Sequence, residues 1–327
     1  MRFFNLFPKL AFGLLSFLFV ATPFLVTHRA TADDTGLATL SDAALLTRSI
    51  PSTPSQARTG SQFADYVAPM DSRQREHAIL NEILEGNLPG FLRNLIPVQL
   101  SYQPPTGKLI AATIFVMPEY LAIGSDKDFL RIPMDLYTAS SVAGRLGFVL
   151  PTRKMVDAIY RHSAFHFSPE PMTPGPQMRS TEYYRIHNDK IEKQSRALGV
   201  TLGALVSGDK KDVVVTNLLA RNPGRIAIYG WHRLDGAPIQ PLSTVHGACY
   251  ADYSHGIRLI SATLLVDGRP RSIYDVLQDP LLSRVLSDEG PIPNLRGLLT
   301  HTAADAPCGQ PAVTRDDSPA ASLRLHF

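Results

Sequence analysis

Residues 225–260 constrain the fold of this chain more than any other stretch. Largely apolar runs at 226–228 and 257–260 stand near its two ends, with glycine and proline residues between them. Short apolar runs with such boundaries are typical of buried strands, and polar side chains at strand ends often build binding or catalytic sites. The stretch therefore predicts buried strands that carry a functional site at their ends.

The same stretch concentrates the side chains that can do chemistry. Three of the ten histidines lie in it, together with the only tryptophan and one of the two cysteines. Imidazole, hydroxyl and carboxylate groups serve acid–base, nucleophilic or metal chemistry. The candidate catalytic residues are His232, His246, Asp252, Ser254 and His255, and the candidate substrate-binding residues are Trp231, Tyr253 and Arg258.

The N-terminal segment has the pattern of a secretory signal peptide. Arg2 and Lys9 flank the start of a largely apolar run over residues 10–26, and small residues at 30–32 precede Asp33 at the usual cleavage spacing. We interpret residues 1–32 as a signal peptide and expect a periplasmic or secreted protein. The alternative is an uncleaved anchor, which would be the protein's only contact with a membrane.

Removal of the signal peptide would leave a chain without net charge. The full sequence has 32 Lys and Arg against 29 Asp and Glu. Residues 1–32 hold three of the basic residues and no acidic one, so 29 of each sign remain. A neutral chain offers no large basic face, and we therefore expect no nucleic-acid partner.

The two cysteines have two interpretations. An exported chain folds in an oxidising environment, which predicts a disulfide between Cys249 and Cys308. Because Cys249 lies among the histidines, a nucleophilic thiol is the competing interpretation.

Composition and hydrophobic period divide the rest of the chain. Residues 33–69 are rich in Ser, Thr, Ala and Pro and are interpreted as a linker or disordered arm, residues 70–300 as one domain, and residues 301–327 as a C-terminal tail. Apolar residues at helical spacing predict helices capped by Asp71, Asp135, Thr152 and Ser180 or the residue after it.

Strand-like runs between residues 98 and 132 predict an antiparallel meander, and further strands are expected at 212–216, 226–229 and 256–266. Because strands and helices occur in separate runs, we predict an α+β fold with a mixed or antiparallel sheet and flanking helices. His187, Asn188 and the pair Lys210-Lys211 are interpreted as solvent-exposed polar residues.

One motif resembles a known active site. His246-Gly247 and the run from Ser254 to Arg258 resemble the active-site box of the bacterial L,D-transpeptidases, an upstream His-Gly followed by Ser-His-Gly-Cys and a nearby arginine. The resemblance implies that His255 is a base and that Arg258 contacts substrate or an oxyanion. Ile257 stands where that family has its nucleophilic cysteine.

A second resemblance is broader. The motifs I-Y-G-W-H at 228–232, D-Y-S-H-G-I-R-L at 252–259 and L-P-T-R-K-M-V-D-A-I-Y at 150–160 are similar to a family of uncharacterised exported bacterial proteins. This resemblance covers most of residues 100–290 and implies a protein of the bacterial envelope.

Three kinds of site fit the candidate residues. Two histidines with Asp252 or a third histidine could bind zinc, but their spacing matches no established zinc motif, so we predict no metal and no cofactor. A metal-free hydrolase would pair Cys249 or Ser254 with a histidine base. In the third kind, the polar groups form a hydrogen-bond network without catalysis.

We therefore predict an exported hydrolase of the cell envelope that acts on peptidoglycan or a related glycan or peptide through a histidine-rich cleft. The alternative is a non-catalytic envelope protein that binds a glycan or peptide, and the sequence leaves open whether the protein is an enzyme. Geometry separates the two, because catalysis requires a base within reach of a nucleophile or bound water.

Overall fold

The computed structural model describes residues 46–299 and Cys308. The helices are Gly60–Val67 (α1), Ser72–Leu84 (α2), Leu136–Leu146 (α3), Arg153–His162 (α4), Thr181–Leu198 (α5), Leu218–Arg221 (α6), Ile273–Gln278 (α7), Ser283–Leu286 (α8) and Leu295–Leu299 (α9), with 3₁₀ turns at Gly90–Arg93 and Pro176–Arg179. The strands are Ile96–Tyr102 (β1), Ile110–Val116 (β2), Ala122–Ser125 (β3), Asp128–Arg131 (β4), Phe148–Val149 (β5), Phe165–His166 (β6), Val206–Ser207 (β7), Lys211–Val213 (β8), Ile228–His232 (β9), Pro238–Ser243 (β10), His255–Gly256 (β11), Ile260–Ser261 (β12), Thr263–Val266 (β13) and Arg269–Ser272 (β14).

The predicted α+β class is confirmed. A six-stranded antiparallel sheet has the order β14-β13-β2-β12-β5, with β1 also paired to β2. A four-stranded sheet has the order β10-β9-β8-β11 and is mixed, because β11 runs parallel to β8. Helices pack against these sheets, and apolar side chains from both fill one large buried core.

The predicted meander over residues 98–132 is only partly correct. The antiparallel pairs β1–β2 and β3–β4 form, but they belong to different sheets. The chain leaves the large sheet after β2, where Met117 N donates to Leu259 O at 3.0 Å and Leu121 N donates to Ile257 O at 2.8 Å. Pro118 between them has no N–H to continue the ladder with β1. The segment that contains Ile257 and Leu259 therefore takes the position that a third meander strand would have filled.

The predicted helix starts are confirmed. At each start the side chain of the N-cap residue accepts a hydrogen bond from the backbone N–H three residues later. These N-cap residues are Asp71, Asp135, Thr152 and Ser180. Two of the helices end at Gly147 and Gly199, both in the left-handed conformation that glycine adopts without strain.

Residues 60–67 form helix α1, where a linker was predicted. Thr59 and Gln62 make a reciprocal capping box at its start. Phe63 and Ala64 lie four and three residues before Val67, and all three are buried in the core. The ordered domain therefore begins before residue 70. The predicted signal peptide, residues 33–45, and the predicted tail apart from Cys308 lie outside the described residues.

None of the helices within the described part of the chain is both long enough and apolar enough to cross a membrane.

Two backbone connections hold the loop after β10 in place. Before β9, Ile226 N donates to His246 O at 3.1 Å, and Ala248 N donates to Gly224 O at 2.7 Å. Farther along, Lys211 N donates to Ser254 O at 2.8 Å, which continues into the pairing of β11 with β8. The loop from 244 to 254 therefore has fixed ends, and it carries four of the eight predicted site residues.

Candidate functional site

Asp252, Ser254 and His255 form the centre of the site, at the start of β11. The Asp252 carboxylate accepts hydrogen bonds at one oxygen, Oδ1, from Ser254 N at 2.8 Å and from Ser254 Oγ at 2.6 Å. This local turn is typical of aspartate and fixes the carboxylate orientation. The other oxygen, Oδ2, lies 3.9 Å from His255 Nε2. All three side chains are buried.

His246 and Tyr250 lie on the outer side of this centre and are half-buried. Their rings stack with centroids 4.2 Å apart and an interplanar angle of 10°. The His255 ring lies 6.2 Å from the His246 ring and 5.7 Å from the Tyr250 ring, centroid to centroid. Tyr250 also donates from its hydroxyl to Asp252 Oδ2 at 3.1 Å. The structure thus brings together three predicted residues, His246, Asp252 and His255.

The surroundings of Asp252 and His255 shift the pKa values of both residues. Burial lowers the pKa of His255 to about 4, and the nearby Asp252 carboxylate offsets this only in part. Burial acts to raise the pKa of Asp252, but His255, Lys211 and the hydrogen bonds from Ser254 outweigh it and lower the pKa to about 2. Burial and the Asp252 charge together raise the pKa of Tyr250. At neutral pH the site therefore holds a carboxylate, a neutral imidazole and a protonated phenol.

Both ring nitrogens of His255 are buried without a hydrogen-bond partner. A buried polar group left unpaired costs about 1–3 kcal/mol. Such groups are rare in folded proteins and are often associated with function. The unpaired imidazole beside a carboxylate is therefore the observation that most strongly indicates a functional site here.

Ser254 and Cys249 are not arranged as free nucleophiles. The Ser254 hydroxyl is fully buried and directs its hydrogen toward Asp252, which makes it a support for the carboxylate. Cys249 forms a disulfide with Cys308, with Cα atoms 5.6 Å apart, as the sequence predicted. Within the residues that the structure describes, the sulfur of Cys249 is therefore part of a disulfide and is not a free thiol.

His232 belongs to a different cluster. Its Nε2 atom lies 3.1 Å from Asp157 Oδ1, which also accepts a hydrogen bond from the Tyr229 hydroxyl at 2.8 Å. The His232 ring stacks on the Tyr160 ring with centroids 4.6 Å apart. His232 therefore forms a second histidine–aspartate pair, and these contacts do not include His246 or His255.

Arg258 lies in the core, where its contacts are structural. It donates to Met117 O at 3.1 Å and to Val206 O at 2.9 Å, and its guanidinium carbon lies 4.2 Å from the Tyr120 ring centroid. The side chain is 1% exposed. The structure thus gives Arg258 a role in holding segments together in place of the expected contact with substrate.

The predicted substrate-binding residues Trp231 and Tyr253 pack against each other, and we call this pair the inner wall. Trp231 adopts a φ of 52°, a left-handed conformation that is strained for a bulky residue. Its indole N–H is buried without a partner. The Tyr253 ring lies 6.4 Å from the Trp231 ring, and its hydroxyl accepts from Met172 N at 2.7 Å. Trp231 therefore combines backbone strain with an unpaired donor, a combination that occurs at many functional sites.

His187 and Lys210 are buried, although the sequence predicted exposure. Lys210 Nζ donates to Tyr253 O at 2.7 Å and lies 3.2 Å from His187 Nδ1. The His187 ring packs edge-on against Tyr253 and Trp231. Burial lowers the pKa of Lys210 to about 8 and also lowers the pKa of His187, which Lys210 lowers further. These residues support the inner wall from behind.

Asn188 was also predicted to be exposed and is also buried. Its side-chain oxygen accepts from Arg131 N at 3.1 Å, next to the ion pairs that Arg131 makes with Glu119 and Glu192. A helix-face pattern could not reveal this network, because Arg131 lies on strand β4, about 60 residues before Asn188.

Two cations border the site. The Arg179 guanidinium carbon lies 5.2 Å from the Tyr250 ring centroid, and Lys211 Nζ lies 5.4 Å from the Trp231 ring centroid. Both side chains are half-buried. The sequence interpretation missed Arg179, whose position next to the site depends on the packing of the 3₁₀ turn before α5.

Two cavities elsewhere are lined by other residues. They have volumes of about 310 and 580 Å³ and lie beside α5, where both are bordered by Lys127, Phe129, Glu192 and Arg196. None of the predicted site residues lines either cavity.

Within residues 46–299 and 308, one group of three potential ligand atoms lies close enough to hold a metal ion. It consists of Asp135, Cys249 and Cys308, and the two sulfurs in it are joined as a disulfide. A thiolate is the form of cysteine that binds metals, so this group does not make a metal site while the disulfide is intact.

Comparisons of the chain with protein-family profiles, with curated proteins and with solved structures found no match.

Proposed function

We propose that the protein is an exported hydrolase of the cell envelope that acts on peptidoglycan or a related glycan or peptide. The observation that carries the proposal is the buried, neutral and unpaired imidazole of His255 beside the ionised Asp252. A neutral imidazole can accept a proton, and a carboxylate next to it stabilises the imidazolium that results.

In the proposed reaction His255 takes a proton from a water molecule, and the water oxygen attacks the carbonyl carbon of the substrate. The bond to the leaving nitrogen or oxygen then breaks, and the imidazolium returns the proton to the leaving group. Water is the expected nucleophile because the Ser254 hydroxyl is directed toward Asp252 and Cys249 is in a disulfide. The gap of 3.9 Å between His255 and Asp252 would shorten on substrate binding, as catalytic hydrogen bonds often do.

A non-catalytic binding protein is the second candidate. It is favoured by the burial of Ser254 and His255, both 0% exposed, while the stacked rings of His246 and Tyr250 are half-exposed. Aromatic rings with polar groups nearby suit recognition of a sugar or peptide without any reaction.

Incubation of the chain without residues 1–32 with purified peptidoglycan and muropeptides tests the proposal. We expect products that gain the mass of one water, detected by mass spectrometry, and we expect His255→Gln and His246→Gln to abolish them. His162→Gln is the matched control, because that residue is exposed and its Nδ1 atom lies 2.8 Å from the carbonyl oxygen of Ala158 in its own helix.

Binding without any product, in both the wild type and the variants, would favour the second candidate. Elemental analysis of the same sample checks the prediction that no metal is bound. About one zinc ion per chain, lost in His246→Gln, would contradict that prediction and indicate a metal-dependent hydrolase.

A further inference from the structure

Arg179 and Lys211 have no acidic partner within ion-pair distance among the described residues. None of the ion pairs in this part of the chain includes either cation. Arg179 makes one long hydrogen bond, from Nη2 to Cys249 O at 3.5 Å, and its Nε atom is buried without a partner. Both cations instead face the aromatic rings of Tyr250 and Trp231.

A half-buried cation that makes no ion pair is unfavourable, because it loses hydration while the carboxylates that act on it, Asp135 for Arg179 and Asp252 for Lys211, stay beyond ion-pair distance. Contact with an aromatic ring offsets only part of this cost. Arg179 lies at the Tyr250 ring, which packs against His255, and Lys211 acts electrostatically on both His255 and Asp252. This arrangement is expected where a further negative charge arrives with a ligand.

We propose that Arg179 and Lys211 form the subsite for a carboxylate of the substrate, placed next to the bond that the proposed hydrolase cleaves. The inference rests on the proposed function for the reaction, but the binding it describes can be measured without turnover. Arginine offers planar paired donors that match a carboxylate, and lysine adds a compact charge.

The fixed charge of Asp252 limits how much negative charge the subsite accepts. Asp252 is ionised, and Lys211 helps to lower its pKa. Burial lowers the pKa of Lys211, and the Asp252 charge offsets part of this effect. Arg179, Lys211 and Asp252 together carry a net charge of +1, which one singly charged carboxylate neutralises. In the envelope such a carboxylate comes from a peptide C-terminus or from the lactyl group of muramic acid.

The single tryptophan gives a direct binding signal. Trp231 is the only tryptophan of the chain, and its ring lies under the Lys211 ammonium. We would titrate the protein with N-acetyl-alanyl-alanine as the free acid, with the same dipeptide as the C-terminal amide, and with N-acetylmuramic acid. Trp231 fluorescence would report binding in each titration.

We expect one of the two acids to bind at least about tenfold more tightly than the amide, the effect of about 1.4 kcal/mol from a charged contact. Arg179→Gln and Lys211→Gln should each remove this preference, and Arg179→Lys should keep part of it. Arg185→Gln is the matched control, because Arg185 pairs with Asp65 on the surface. The acid-to-amide comparison on the wild type needs no variant to fold.

Equal affinity of the wild type for acids and amide would overturn the subsite, and so would a preference that survives in both glutamine variants. Which acid binds more tightly identifies the source of the carboxylate. A preference for the acid without hydrolysis of any substrate would reject the hydrolase and leave the subsite intact. Hydrolysis of acid and amide peptides at equal rates and affinities would reject the subsite and leave the hydrolase.

Discussion

Burial of the neutral His255 imidazole should make the protein less stable as the pH falls. The pKa of His255 is about 4 in the folded protein and 6.5 in an unperturbed histidine. Between these values the unfolded chain binds a proton that the folded protein excludes, so this stability is present above about pH 6.5 and is lost as the pH falls toward 4. Each pKa unit is worth about 1.4 kcal/mol, and the expected loss is about 3 kcal/mol.

The assay is urea unfolding followed by Trp231 fluorescence at several pH values between about 7 and 4. His255→Gln keeps a side chain of similar size that does not titrate, so its free energy of unfolding should fall by about 3 kcal/mol less than that of the wild type over this range. His187, the other buried histidine with a lowered pKa, is present in both proteins, so its contribution cancels. His162→Gln should follow the wild type. Equal pH dependence of wild type and His255→Gln would refute the reasoning.

Two further outcomes follow from the packing. The Cys249–Cys308 disulfide joins residues 59 apart. Its removal by Cys249→Ser with Cys308→Ser should lower the free energy of unfolding by about 4 kcal/mol in urea titrations. Two reactive thiols in the unfolded, unreduced wild type would contradict this prediction. Lys210→Met leaves the Tyr253 carbonyl without its donor and removes one of the three cations that act on the buried Asp209, so it should cost about 3–5 kcal/mol by the same measurement. Lys193→Met is the control, because Lys193 is exposed, and it should change the free energy of unfolding by less than about 0.5 kcal/mol. An equal effect of the two lysine variants would contradict the burial of a charged Lys210.

Local signals explain the parts of the fold that were predictable from the sequence. An N-cap residue such as Asp135 acts on backbone groups three residues away, and a glycine such as Gly147 ends the same helix through its own conformation. Both effects are complete within one element, so the sequence shows them directly. The pairing of β2 with β12 and β13 joins residues about 150 positions apart, and no local pattern encodes it.

The candidate site shows the same division. His246, Asp252 and His255 meet because they lie within ten residues on one anchored loop, so their grouping could be expected from the sequence. His232 looks equally suitable in the sequence, but β9 directs it to Asp157 on α4. Lys210 is buried because the Tyr253 carbonyl and His187 from α5 are its partners. The sequence could not show this, because a pair of lysines usually indicates a solvent-exposed position.

The left-handed backbone of Trp231 has a consequence for engineering. A bulky residue in this conformation carries about 1–2 kcal/mol of strain, which glycine would relieve. Glycine would also remove the ring that packs on Tyr253 and lies under Lys211. Trp231 is 3% exposed and belongs to the main core, so the packing that glycine would lose, about 3–5 kcal/mol, exceeds the strain that it would relieve. Laboratory selection for heat resistance and selection for ligand binding should therefore both retain tryptophan at residue 231.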